Sequence, residues 1–121
     1  MAARRNLEGA YQRAYLVAAG SCFPDHRFFR RNVGLIRMGH GRVFRSGIPG
    51  QADIYVIGKG GWHGEIEIKR FGSLSPEQTD WMHWCLEWTV PWIMLRVGKK
   101  ETQAATISRW LAETQQWLKN P

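Results

Sequence analysis

The chain has little cysteine and no long apolar run. Its two cysteines, Cys22 and Cys85, are too few for a disulfide framework, which predicts a reducing compartment and therefore a cytoplasmic protein. The most apolar stretch runs only from Val90 to Val97 and contains Pro91 and Arg96, so we expect no membrane-spanning segment. These two shortages argue against a disulfide-rich secreted protein and against an integral membrane protein.

Acidic side chains are also scarce. The 121 residues hold 10 Asp and Glu against 17 Lys and Arg, which gives a net charge of +7 at pH 7. Positions 26–52 contain no acidic residue but six arginines: Arg27, Arg30, Arg31, Arg37, Arg42 and Arg45. Because the guanidinium group is a planar fork that matches phosphate, this pattern favours a nucleic acid over a membrane surface as the partner. The alternative is that the arginines only form a solubilising surface.

The remaining composition is typical of one globular domain that spans residues 1–121. Its hydrophobic content is 44%, and no repeat or linker interrupts the chain. Caps and apolar spacing predict helices over about 6–19, ended by Gly20, from Ser75 onward, and over about 103–118. Strands are predicted within 26–46, around a turn at 39–41, and at 54–57, 64–70 and 92–97. The predicted fold is α/β, with the order α-β-β-β-α-β-α.

One strand carries residues with catalytic chemistry. Glu67 and Lys69 are two apart in a segment that alternates from Gly64 to Arg70, so both project from one face. Asp53 begins the preceding strand, and a hairpin-like connection would bring it beside Glu67. Two carboxylates bind Mg²⁺ through oxygen, and the metal lowers the pKa of a bound water, while a lysine stabilises charge on phosphate. The alternative is a solvated strand face with alternating charges.

Three ordered segments carry a family resemblance: Gly47-Ile48-Pro49-Gly50-Gln51-Ala52-Asp53, Gly64-Glu65-Ile66-Glu67-Ile68-Lys69 and Leu74-Ser75-Pro76-Glu77-Gln78. In this order, after a basic strand region, they resemble the PD-(D/E)XK nuclease superfamily and most closely its VRR-NUC branch, from Glu8 to about Leu118. The resemblance implies a restriction-endonuclease-like core with a central mixed sheet flanked by helices. Ala52 departs from the proline that usually precedes the aspartate.

The resemblance also implies residue roles. It implies two metal-binding carboxylates, the motif lysine and a glutamine early in the next helix, which are Asp53, Glu67, Lys69 and Gln78. It implies two further metal ligands, the Ile68 carbonyl and the Glu8 carboxylate. The residues expected to contact nucleic acid are Arg30, Arg31, Asn32, Arg37, Arg42 and Arg45, of which Arg31 and Asn32 match positions near the family's substrate.

Several of these residues have a structural alternative. Gln78 fits a capping box with Ser75, and Glu8 fits a first-turn acid that the helix dipole stabilises. Glu65 shares the face of Glu67, but we expect it to be solvated. Helical spacing places five tryptophans in the core or on a dimer face, namely Trp81, Trp84, Trp88, Trp110 and Trp117. Trp62, in the glycine loop, is the one exposed candidate for base stacking.

The resemblance implies a Mg²⁺-dependent endodeoxyribonuclease, with Mn²⁺ as a substitute, that hydrolyses phosphodiester bonds through metal-activated water. Small stand-alone members of the family are phage or bacterial enzymes that act on DNA structures, so the expected substrate is branched or Holliday-junction-like DNA. A homodimer is expected, because two symmetric cuts need two sites and seven tryptophans exceed what a small monomer readily buries. The alternatives are a non-catalytic basic nucleic-acid-binding module and a restriction-type sequence-specific nuclease.

Overall fold

The computed structural model describes residues 2–31, 34–37, 39–41 and 43–120, and the side chains of residues 8–31, 39, 41 and 47–120. Three helices and six strands make up these parts of the chain: α1 (Ala2–Cys22), β1 (His26–Arg30), β2 (Gly34–Arg37), β3 (Val43–Ser46), β4 (Ile54–Gly58), β5 (His63–Lys69), α2 (Pro76–Glu87), β6 (Trp92–Arg96) and α3 (Gln103–Lys119). Single 3-10 turns join β2 to β3 and β4 to β5.

Four of the strands form a mixed sheet in the order β1-β4-β5-β6. β1, β4 and β5 are antiparallel neighbours, whereas β5 and β6 are parallel because α2 makes the crossover between them. β2 and β3 follow β1 and precede β4 in the chain, and they form a separate two-stranded hairpin. The predicted α/β fold with the order α-β-β-β-α-β-α is therefore confirmed for the main sheet, and the hairpin is an insertion into it.

The hydrophobic core lies between the sheet and the pair α1 and α3. Apolar side chains of β4, β5 and β6 pack there against both helices, and the buried cluster consists of Tyr15, Ala19, Ile54, Val56, Ile66, Ile68, Leu95, Trp110 and Trp117. β5 is buried along both of its faces, because its opposite face lies under α2. Glu65 and Glu67 of β5 are therefore enclosed rather than solvated.

α1 is longer than the pattern predicts. It begins at Ala2 instead of Asn6 and continues through Gly20 to Cys22. A Cβ built on Gly20 meets nothing within 4 Å, so this glycine is not required by close packing. The helix ends where the Phe23 amide bonds the Ala19 carbonyl and Pro24 follows, since proline lacks the N–H that the next turn would use.

α2 begins at the predicted cap Ser75, whereas the cap of α3 is not among the predicted ones. Ser75 accepts a hydrogen bond from the Gln78 amide at 3.1 Å, with Pro76 in the first helical position. Thr102 caps α3 by accepting from the Ala105 amide at 3.1 Å. Within the described part of the chain, no helix combines the length and the apolar character that a bilayer crossing needs.

Candidate active site

Strand register brings Asp53 next to Glu67. Ile54 of β4 pairs with Ile66 of β5, so that one step beyond this pair Asp53 lies opposite Glu67. The Glu67 carboxyl group lies close enough to Asp53 to share a proton with it, and this interaction raises the pKa of Glu67. The second anchor of Asp53 is the backbone of β5, because its Oδ2 accepts from the Ile68 amide at 2.9 Å. The hairpin thus fixes two carboxyl groups in direct contact.

Gln78 joins the catalytic strand to α2. Its Nε2 donates to Glu67 Oε1 at 3.0 Å, and its Oε1 accepts from Lys69 Nζ at 2.8 Å. The same Oε1 accepts from the Ser75 amide at 2.9 Å, which completes the capping box. Gln78 therefore caps α2 and contacts the candidate site in the same side-chain conformation.

Burial changes the proton affinity of the carboxyl pair. Desolvation, followed by the negative charge of Asp53 and the hydrogen bond to it, raises the pKa of Glu67 to about 9. Desolvation also raises the pKa of Asp53, although the Ile68 amide and the charges of Lys69 and Arg30 act in the opposite direction. The raised pKa of Glu67 favours a proton shared by the two carboxyl groups at neutral pH.

Glu8 of α1 lies close enough to the pair to interact with it electrostatically. Desolvation and then the charge of Asp53 raise the pKa of Glu8, and Glu8 in turn contributes to the raised pKa of Glu67. Among the described residues, however, no group of three or more His, Cys, Asp or Glu side chains is arranged to hold a metal ion. Glu8 is near the site without completing a three-carboxylate cluster, and its role as a ligand stays a prediction.

The donor set suits a hard divalent cation. Asp53 and Glu67 offer only carboxylate oxygen, which Mg²⁺ prefers, and the proton they share occupies the place of a positive charge. A bound cation would replace that proton and remove the repulsion between the two carboxylates. Asp53 and Glu67 are the residues that would hold the metal, together with the predicted backbone ligand Ile68.

The expectation that Glu65 is solvated is wrong. Glu65 is 1% exposed and accepts hydrogen bonds from three groups that surround it. Both terminal nitrogens of Arg31 bond its carboxylate, one of them at 2.9 Å, and Trp81 Nε1 donates to it at 3.0 Å. His63 Nε2 forms the remaining contact. A buried carboxylate requires such partners, and α2 and Arg31 supply them.

Arg31 is part of this internal network. Besides Glu65, its guanidinium donates to the Ala52 carbonyl at 3.1 Å and lies over the rings of Tyr55 and Trp81. Its backbone amide donates to the Asp53 carbonyl at 2.7 Å. The geometry gives Arg31 a role in holding the segment that carries Asp53, and it does not support the predicted phosphate contact. Sequence reasoning missed this role because the spacing of Arg31, Glu65 and Trp81 contains no local pattern.

The other predicted nucleic-acid contacts are placed only in part. Arg30 is exposed at the end of β1, and its charge is close enough to act on Asp53. Asn32 and Arg42 lie outside the described residues, and the side chains of Arg37 and Arg45 lie outside the described side chains. Among the predicted nucleic-acid contacts, Arg30 is therefore the one whose described side chain is exposed.

The tryptophans divide into two groups. Trp110 and Trp117 belong to the core, as helical spacing predicts. Trp62 packs edge-on against Trp117, so its predicted role as an exposed stacking residue is not supported. By contrast, Trp84 and Trp88 on α2 are 44% and 67% exposed.

Comparisons of the chain with protein-family models, with curated proteins and with solved structures found no match. The family resemblance of the sequence motifs therefore stays a prediction, and the functional argument depends on the geometry of Asp53, Glu67, Lys69 and Gln78.

Proposed function

We propose that the protein is a metal-dependent DNA endonuclease that hydrolyses phosphodiester bonds at the site formed by β4, β5 and α2. The observation that carries the proposal is the placement of Asp53 opposite the buried Glu67, with Gln78 hydrogen-bonded to both Glu67 and Lys69. A solvated strand face with alternating charges would not bury Glu67 beside a second carboxyl group. Such pairs of perturbed carboxyl groups are characteristic of functional sites.

The residues have separate roles in this proposal. Asp53 and Glu67 bind Mg²⁺ or Mn²⁺, and the metal when bound neutralises phosphate and lowers the pKa of water. Lys69 stabilises the negative charge that develops on the phosphate, and Gln78 keeps the lysine ammonium and the Glu67 carboxylate at a fixed separation. Arg30, exposed beside Asp53, contacts a flanking phosphate.

Two further parts of the proposal concern the substrate and the assembly. A structure-selective activity on branched or Holliday-junction-like DNA is supported by the motif resemblance, and a net charge of +7 suits a polyanion. A homodimer would match the two-fold symmetry of such a junction. Trp110 and Trp117 are in the core, so α3 does not offer them as a dimer surface. The candidate dimer surface is therefore the exposed C-terminal end of α2, with Leu86 and Trp88.

The direct test is incubation of the protein with plasmid and with a branched oligonucleotide, with and without Mg²⁺. We expect Mg²⁺-dependent cleavage of the branched DNA, and sedimentation equilibrium should give twice the mass of 14.0 kDa. Binding without cleavage in Mg²⁺ or Mn²⁺ would instead identify a non-catalytic nucleic-acid-binding module. A discrete fragment pattern that depends on the base sequence would identify a restriction-type enzyme.

A further inference from the structure

A groove of about 540 Å³ lies between the first half of α2 and the loop that precedes Asp53. Its lining consists of Ile48, Pro49, Glu77, Asp80, Trp81 and Trp84. The groove opens to solvent, since Ile48 is 57% exposed and Trp84 is 44% exposed. Its volume falls in the range of small-ligand sites, roughly 300–1,000 Å³.

Gly50 determines how the groove is closed on one side. Its φ is +89°, and a Cβ at this position would lie 2.2 Å from the Glu77 carbonyl oxygen. The loop backbone therefore lies directly on the first turn of α2, which holds Ile48 and Pro49 beside the helix. Asp53 follows Gly50 by three residues, and Gln78 directly follows Glu77 of the groove lining, so the segments that line the groove also carry residues of the candidate site.

The opposite wall is aromatic and rigid. The rings of Trp81 and Trp84 stack with their centroids 4.8 Å apart and their planes 18° apart. Trp81 is fixed from beneath by the hydrogen bond of its Nε1 to Glu65. Glu65 precedes Glu67 by two residues on β5, a distance of roughly 7 Å along a strand. The stacked indoles are thus anchored to the strand that carries the candidate site.

The acidic side chains of the lining indicate which kind of ligand the groove can bind. Glu77 and Asp80 carry negative charge, and no basic residue of the described chain lines the groove. A phosphodiester backbone would be repelled there. A flat neutral ring that stacks on indole and donates hydrogen bonds to carboxylates is complementary to this lining. The exocyclic amino groups of adenine, cytosine and guanine are such donors.

We propose that this groove binds an unpaired base of the nucleic-acid substrate beside the site of cleavage. The inference rests on the proposed nuclease function, and it names the feature of the DNA that the enzyme selects. An unpaired nucleotide at a branch point inserts its base against Trp84, while its phosphates follow the surface near Arg30 and Lys69. Stacking on an exposed tryptophan then adds affinity that a fully paired duplex does not gain.

The experiment measures binding in Ca²⁺ by fluorescence anisotropy, with a labelled branched duplex that has one unpaired adenine or an abasic residue at the same position. We expect the wild-type protein to prefer the adenine by about tenfold, since base–tryptophan stacking contributes roughly 1–3 kcal/mol. Trp84→Ala should remove this preference without changing the affinity for the abasic duplex. Trp84→Phe should retain most of it, which separates lost stacking from misfolding.

Val17→Ala is the control, because Val17 is an exposed apolar residue of α1 that does not line the groove; it should keep the adenine preference. Equal wild-type affinity for the two duplexes would overturn the proposal, and so would an equal loss for both in Trp84→Ala. A fall in dimer mass for Trp84→Ala and Asp80→Asn, with no base dependence, would assign the groove to a second copy of the chain and would also overturn it. Because binding is measured without cleavage, base preference without Mg²⁺-dependent cleavage would refute only the nuclease.

Discussion

Gln78 Nε2 donates a hydrogen bond of 3.0 Å to Glu67 Oε1, so the residue that caps α2 also contacts the strand with the candidate metal ligands. Its Oε1 accepts two hydrogen bonds, one from the Ser75 backbone amide at the helix cap and one from the ammonium group of Lys69. The start of α2 and the geometry of the candidate site are thereby fixed by the same side chain.

Gln78→Glu separates these two roles. Glutamate serves as well as glutamine in a capping box, so the melting temperature should stay nearly unchanged. The substitution replaces the amide donor with a carboxylate oxygen facing Glu67, which repels both the Glu67 carboxylate and the substrate phosphate. We expect cleavage to fall by about 10²-fold. Ser75→Ala is the control, with a loss of about 1 kcal/mol in stability and little change in cleavage; normal cleavage by a stable Gln78→Glu protein would leave Gln78 as a cap only.

Alanine at Asp53, Glu67 or Lys69 tests the catalytic assignment. Each substitution removes a group used mainly in the transition state, so each should reduce single-turnover cleavage by roughly 10²-fold or more. DNA affinity in Ca²⁺ should survive at Asp53 and Glu67, because loss of a carboxylate also removes repulsion toward phosphate. Cleavage at the wild-type rate by Glu67→Ala would contradict the assignment.

Much of this site follows from short-range patterns. Strand alternation places Glu67 and Lys69 on one face, and the Ser75-Pro76-Glu77-Gln78 segment marks the start of α2. Both patterns depend on neighbours within a few positions, and the register of one hairpin is enough to add Asp53. These parts of the fold and the site could therefore be predicted from the sequence.

The burial of Glu65 could not be predicted from the sequence. Alternation shows that Glu65 and Glu67 share a face, but not whether another element covers that face. Its burial depends on Arg31, 34 positions earlier, and on Trp81 of the crossover helix. Such tertiary partners are not encoded in any local spacing, which is why an arginine in a basic segment was predicted to bind phosphate and is instead engaged inside the protein.

The carboxyl pair makes stability depend on pH. The folded protein raises the pKa of Glu67 from 4.5 to about 9, so between these values the folded state binds more protons than the unfolded state. The stability that Glu67 contributes is therefore present below about pH 4.5 and is lost as the pH rises toward 9, by at most about 1.4 kcal/mol per pH unit for one group. Urea unfolding across this range should show the decline in metal-free buffer.

Two comparisons test whether Glu67 causes this pH dependence of stability. Mg²⁺ should flatten the decline and stabilise the protein most at high pH, because the cation replaces the shared proton. Glu67→Gln should abolish most of the pH dependence, since the amide does not titrate in this range. Retention of the full slope in Glu67→Gln would place its source in other groups.

Arg30 and Arg31 are adjacent in the sequence but should behave differently when replaced by glutamine. Arg31→Gln leaves the carboxylate of Glu65 buried without its charged partner, so we expect a loss of about 3 kcal/mol or more in unfolding free energy. Arg30 is exposed, so Arg30→Gln should leave stability almost unchanged.

DNA binding should be weakened by the substitution of Arg30 rather than by that of Arg31. Arg30→Gln should weaken binding to all sequences alike and reduce the slope of log K against log salt by about 1, because one phosphate contact is lost. Arg31→Gln, measured at a temperature where it is folded, should keep the wild-type slope, since its guanidinium is engaged with Glu65 and Ala52. A slope lowered by Arg31→Gln and unchanged by Arg30→Gln would reverse the two roles, and would mean that the Glu65 pair opens when DNA binds.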